Sequence, residues 1–184
     1  MTGRAAPAGE TGGELWVFAY GSLMWRPDFV YAERHPAMLR GWRRRLCIYS
    51  HVYRGTAERP GLVLGLDRGG ACRGVAFCVE PSLREATVRY LRERELVTAV
   101  YRERMVPLTL ADGRRVSALT YVADRAHGQY AGALPRHQLL RLIRQGVGQS
   151  GDNADYVLAT RDHLRELGIV DSDLEWLAAQ LRAA

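Results

Sequence analysis

The chain has 184 residues, 47% of them apolar and 25% charged, a balance that excludes bulk disorder, collagen, coiled coil and a small disulfide-knotted scaffold. At this size roughly 70% of the unfolded surface can be buried, so no metal or disulfide staple is needed. The formal charge of +6 is carried wholly by arginine, since the 26 basic residues include no lysine; that excludes a Schiff-base lysine and a P-loop lysine.

Residues 1–13, rich in Gly, Ala and Pro, read as a flexible tail ahead of one domain over 14–184. The tail is too polar for the apolar segment of a signal peptide, and no later run approaches the ~18 apolar residues of a membrane span. Residues 15–20 read as a buried strand that breaks at Gly21-Ser22. Residues 46–53, 61–66 and 72–79 are three further short strands, parted by Gly and Arg. Ser82 and Glu85 form a capping box after Pro81, and Leu83, Thr87, Val88 and Leu91 make one helical stripe. Residues 101–110 and 115–122 flank Asp112-Gly113 as a hairpin. Three helices close the chain: 135–145 before Gly146, 152–167 behind an Asp cap and before Gly168, and 172–181. Strands first, one inserted helix and helices last predict an α+β fold with a mostly antiparallel sheet, open to closure as a barrel.

The nucleotide-binding, zincin and serine-hydrolase motifs are missing. The five histidines are scattered, so neither a metal site nor a cofactor is expected. Cys47, Cys72 and Cys78 are odd in number and form no C-x-x-C pair, which predicts free structural thiols in a reducing cytoplasm. The run Arg40-Gly41-Trp42-Arg43-Arg44-Arg45 reads as a solvated strand edge rather than a nucleic-acid patch, because no RNA- or DNA-binding signature accompanies it. The expected partner is a small molecule, not nucleic acid or membrane, and nothing in the chain points to an oligomeric state.

Two segments carry chemistry. At Tyr20-Gly21-Ser22-Leu23 a buried strand breaks sharply, so successive N–H groups can converge on a carboxylate or an oxyanion; the same residues also read as an ordinary turn. In Tyr90-Leu91-Arg92-Glu93-Arg94-Glu95, Glu95 stands four residues past Leu91 and extends the inward stripe, whereas Glu93 points to solvent. Burial and the negative end of the helix dipole both make an inward Glu95 a better base. The alternative is a frayed end with Glu95 swung outward. Glu103 is the competing inward carboxylate.

These residues belong to a wider pattern. WVFAYGSLMWRP at 16–27, GW-RR-LC at 41–47, RGT and RPG within 54–61, CRGVAF at 72–77, Arg94-Glu95 followed by Tyr101, and G-x-N-x-x-Y-V-L at 151–158 together resemble the ChaC family of glutathione-specific γ-glutamylcyclotransferases. The resemblance implies a small β-barrel flanked by helices and conversion of glutathione to 5-oxoproline and cysteinylglycine. It assigns Glu95 as general base and Tyr20, Gly21, Ser22 and Leu23 as the loop holding the γ-glutamyl group. It further implies that Arg54 and Tyr156 lie near the substrate, although Tyr156 reads equally as a core residue on the stripe with Thr160, His163 and Leu167. The pattern departs at Leu96-Val97-Thr98-Ala99, where some relatives carry glycines; this bears on loop shape and substrate preference more than on the base. Two other readings stay open: a cyclotransferase for other γ-glutamyl amines or peptides, and an idle binding module of the same fold.

Overall fold

Five strands form the centre of the molecule: β1 (Leu15–Ala19), β2 (Glu33–Ser50), β3 (Gly61–Val79), β4 (Tyr101–Leu110) and β5 (Arg115–Ala123). A computed structural model describes residues 13–183; all of the expected tail except Gly13 lies outside the described residues. The strands close into a barrel in the order β1-β3-β2-β4-β5. Four neighbouring pairs are antiparallel, so after five strands the last must run parallel to the first. Trp16 accordingly pairs with Ala118 and Val17 with Leu119 in a parallel β1–β5 seam.

Alternation along β1 explains why all five of its residues are buried. Trp16 and Phe18 join Leu39, Leu66, Ala76, Leu108 and Ala118 in a cluster drawn from all five strands, which fills the barrel. Leu15, Val17 and Ala19 face the other way, onto the helices α1 (Arg84–Glu95), α2 (Arg136–Gln145), α3 (Asn153–Glu166) and α4 (Ser172–Arg182). Cys72 and Cys78 lie within the barrel cluster and Cys47 in a third, smaller one; all three are free and buried. Among the described residues no helix is long and apolar enough to cross a membrane.

Several local expectations change. The segments 61–66 and 72–79 are one strand, because Gly69 and Gly70 (φ +97° and +71°) bend β3 opposite a bulge at Gly41 without interrupting its pairing to β2. β2 likewise begins at Glu33, hidden in the sequence by a run of arginines and Pro36. The arginine run lies on a strand edge as expected, since β2 meets β4 only at Ala37–Leu39 and residues 40–45 pair with β3 alone, but not all of its arginines are solvated. Arg44 turns back to donate to the carbonyls of Tyr20 (2.6 Å) and Arg73 (2.7 Å). Arg45 reaches Asp67, a buried carboxylate also held by Arg125 and Tyr130. The capping box does not form. Pro81 opens a 3-10 turn over Pro81–Leu83, so Ser82 lies inside a turn rather than at a helix start. Asp152 stands at the N-cap of α3 without a side-chain bond, whereas Asp171 caps α4 through the amides of Asp173 and Leu174.

One polar contact fixes α3 on the barrel. The first half of β3 runs past β1, which leaves the outward backbone groups of Leu62 and Leu64 without a strand neighbour on that side. Asn153, fully buried, replaces the missing strand: its Oδ1 accepts from the Leu62 N–H (2.7 Å) and its Nδ2 donates to the Leu62 carbonyl (2.8 Å). Replacing Asn153 by Ala strands two buried backbone groups, each costing about 1–3 kcal/mol, so the variant should lose on the order of 2–5 kcal/mol in urea unfolding. A loss below about 1 kcal/mol would mean that the strand edge finds another partner.

Candidate active site

The break at the end of β1 builds the first wall of a cavity. Gly21 accepts from the Met24 N–H (2.9 Å) and Ser22 from the Arg26 N–H (2.8 Å), winding the chain into a 3-10 turn over Ser22–Met24. Amides at the start of such a turn have no partner within it, so those of Gly21, Ser22 and Leu23 are available to a ligand. Gly21 itself has φ −132° and ψ −138°, and a Cβ built on it would meet only Leu64 Cδ1 at 3.8 Å. As expected from the sequence, what glycine leaves open here is space for a ligand to approach the backbone.

The second wall is the end of α1. Glu95 is the last residue of this helix and faces inward, its side chain 20% exposed. Burial pushes its carboxyl above the ordinary carboxylate value, and the neighbouring Arg94 charge opposes the shift. Glu93 is exposed, as the stripe predicts. Glu103, the competitor, is engaged elsewhere: Arg92 donates two hydrogen bonds to it (2.8 and 2.7 Å) and Tyr121 a third (3.2 Å), and the Arg92 contact holds its carboxyl low.

Four tyrosines complete the enclosure. Tyr20 directly follows β1, Tyr101 opens β4, Tyr121 lies on β5 and Tyr156 on α3, and burial raises the pKa of each, so all are neutral phenols. Tyr101 donates to the Leu64 carbonyl (2.7 Å), and the Leu64 N–H donates to the Tyr156 oxygen (3.2 Å). These two phenols finish the strand edge that Asn153 begins. Tyr156 accepts there and keeps its own hydroxyl proton as a donor, with the buried Thr160 hydroxyl as its neighbour. Tyr156 packs against the main core and also lines the cavity.

Tyr20, Gly21, Ser22, Leu23, Glu95 and Tyr156 thus surround one chamber of about 190 Å³, with Val63, Leu64, Tyr101 and Tyr121. Glu95 is the one carboxylate among the described residues lining it. Ser22, Val63 and Tyr156 are shared with a wider outer chamber of about 690 Å³, so a long ligand would pass between them. Arg54 lines this outer chamber and not the inner one. Its Nη1 is tied to the carbonyls of Ser150 (2.6 Å) and Asp152 (3.2 Å), and its guanidinium lies 5.4 Å from the centre of the Tyr156 ring. A groove of about 720 Å³ between α1 and β4 is larger still, but it mixes acids with arginines and its Glu103 is already paired with Arg92. Among the described residues no group of three or more His, Cys, Asp or Glu side chains could hold a metal ion.

The sequence reading missed Tyr101, Tyr121 and Arg94 as cavity or near-cavity groups. Hairpin register was the available signal for the first two, because the strand that carries Tyr101 pairs Glu103 with Tyr121.

A five-stranded barrel flanked by helices in this arrangement is an architecture already known. The fold is that of the γ-glutamylcyclotransferases: a γ-glutamylcyclotransferase specific to glutathione from yeast superposes with a TM-score of 0.80, at 21% identity, over 93% of this chain and 99% of its own. The chain belongs to the ChaC-like protein family, whose sequence profile it matches over residues 15–184. It is 34% identical over 170 residues to the glutathione-specific γ-glutamylcyclotransferase of Escherichia coli K12, covering 92% of this chain and 74% of that one. Human glutathione-specific γ-glutamylcyclotransferase 1 is 35% identical over 169 residues, with 90% and 76% covered.

Proposed function

We propose that residues 14–184 form a glutathione-specific γ-glutamylcyclotransferase that converts glutathione to 5-oxoproline and cysteinylglycine. The observation that carries this reading is Glu95, a buried acid facing a small chamber whose opposite wall is a turn with open amides. The names of the bacterial and human relatives support the substrate. The two-chamber shape supports it as well: the inner space suits a γ-glutamyl group, and the outer one receives the rest of the tripeptide.

The reaction needs no covalent intermediate with the protein. The substrate's α-amine attacks its own γ-carbonyl carbon, forming the lactam C–N bond as the bond to the cysteinyl nitrogen breaks. Nucleophile and electrophile share one short chain, and a correctly folded conformer supplies an effective molarity that can reach ~10⁵ M or more. Glu95 accepts the proton released by the attacking amine and returns it to the departing nitrogen. The amides of Gly21, Ser22 and Leu23 meet negative charge on the substrate, and the Tyr156 hydroxyl is a second donor at the neck. Ser22 is a hydrogen-bonding residue in this scheme, not a nucleophile. The three buried free thiols are in keeping with a reducing compartment such as the cytoplasm as the setting.

Arg54 is a fixed guanidinium in the outer chamber, suited to the distal carboxylate of glutathione through paired hydrogen bonds. Glutathione should accordingly exceed γ-glutamyl-alanine in kcat/KM by about 10-fold or more, the worth of one charge-assisted contact. Measured 5-oxoproline release from both substrates decides the point. Equal constants would favour a general γ-glutamyl cyclotransferase, and no 5-oxoproline from either would leave a binding module.

A further inference from the structure

The scheme above gives no task to Arg94, yet its guanidinium is the most connected group beside the chamber. Nη1 donates to the Arg26 carbonyl (2.8 Å), the Tyr90 hydroxyl (2.8 Å) and Asp28 Oδ2 (3.3 Å), Nη2 donates to Ser22 Oγ (3.1 Å), and Nε lies 3.4 Å from Glu95 Oε1. One planar fork on the last turn of α1 thereby grips the segment that follows the 3-10 turn. That segment contains Asp28 at φ +56°, a left-handed backbone conformation that a non-glycine residue keeps only where its surroundings hold it. A second such residue, Ala99 at φ +55°, closes the turn just beyond Glu95. Backbone strain therefore brackets the Arg94-Glu95 pair on both sides.

The groups facing Glu95 are few. Arg94 comes from its own helix, Tyr20 from the end of β1, Tyr101 and Tyr121 from β4 and β5, and Tyr156 from α3. The four phenols are uncharged across the working range, so the charge acting on the carboxylate is that of Arg94.

We propose that Arg94 is a positioning residue with two tasks: it locks the 22–28 loop against the end of α1, and it supplies the positive charge opposite Glu95. The proposal rests on Glu95 as the base. Without Arg94 the loop amides and the carboxylate lose their common anchor, and the buried carboxylate takes up a proton more readily. Lysine can replace the charge but not the fork, since a single ammonium cannot serve Ser22, Arg26 and Tyr90 together.

The test is the pH profile of kcat/KM for glutathione in Arg94→Gln, Arg94→Lys and Asp28→Asn. Arg94→Gln should lower kcat/KM near neutral pH by about 10–100-fold, a misplacement-sized effect, and move the acid limb to higher pH. Arg94→Lys should restore the limb while leaving much of the loss. Asp28→Asn removes an exposed anion that competes for the guanidinium, so its limb should move slightly to lower pH; this variant keeps the idea testable if Arg94→Gln fails to fold. A lowered rate with an unmoved limb in Arg94→Gln, or an unmoved limb in Asp28→Asn, would overturn the electrostatic task, and near-wild-type kcat/KM in Arg94→Gln would overturn both. Failure of the base assignment has a separate signature, an active Glu95→Gln enzyme.

Discussion

Glu95→Gln should turn over glutathione at least about 10²-fold more slowly than the wild type and yet be the more stable protein at neutral pH. The rate falls because the amide keeps the shape of the side chain but cannot take the amine's proton. The stability rises because burial pushes the Glu95 carboxyl above its ordinary value despite the Arg94 charge. An acid with a raised folded pKa contributes its full stability only below the unfolded value, and that contribution is lost as pH rises through the folded one. Gln carries no charge at any pH. The variant should therefore melt at a higher temperature than the wild type at neutral pH, and the two should converge as pH falls below about 4.3, the usual glutamate value. Glu93→Gln, on the exposed face of the same helix, should match the wild type in both measurements. A Glu95→Gln enzyme retaining more than roughly a tenth of the wild-type rate would remove Glu95 from the role of base.

That trade places a cost on the fold at the proposed base, and it is also where the sequence was most legible. An acid on the apolar stripe Thr87, Val88 and Leu91 is a local inconsistency, visible without any structure because helical spacing alone puts Glu95 on that face. The hairpin around Asp112-Gly113 and the three closing helices were readable for the same reason: their signals lie within a few residues of one another. Barrel closure was not. The β1–β5 seam joins residues about a hundred positions apart, and nothing local in Trp16 or Ala118 announces the pairing. Asn153 and Arg44 were hidden in the same way. Each satisfies backbone groups of a distant strand, whereas in sequence one reads as a helix-start residue and the other as one more surface charge. The candidate site divides along this line: Glu95 and the loop after β1 are local motifs, while the tyrosines around them and the contacts of Arg94 depend on register and long-range contact.

Gly21 supplies the other large effect, and the structure makes it a cleaner test than sequence alone allows. Its φ of −132° is not in the left-handed region, and an added Cβ would lie in ordinary contact with Leu64 Cδ1 at 3.8 Å. Gly74 offers the contrast: a Cβ there would stand 2.3 Å from the Ala19 carbonyl oxygen, so Gly74→Ala should damage the barrel itself. Gly21→Ala should fold like the wild type, with a melting temperature changed by no more than about 2 °C, because surface-like substitutions without strain stay within ±0.5 kcal/mol. Its methyl group nevertheless enters the inner chamber, between the open amides and Leu64, where the γ-glutamyl group must lie. A displacement of about 1 Å at a reacting centre costs on the order of 10²-fold, so kcat/KM for glutathione should fall by at least that much in Gly21→Ala, and Gly21→Val should show no turnover. N-acetyl-glutathione gives the matching control on the substrate side. It retains every group except the nucleophile and should release no 5-oxoproline from the wild-type enzyme. If Gly21→Ala instead keeps wild-type kcat/KM, the substrate does not approach this turn, and the γ-glutamyl group must be held by the tyrosine wall on the opposite side of the chamber.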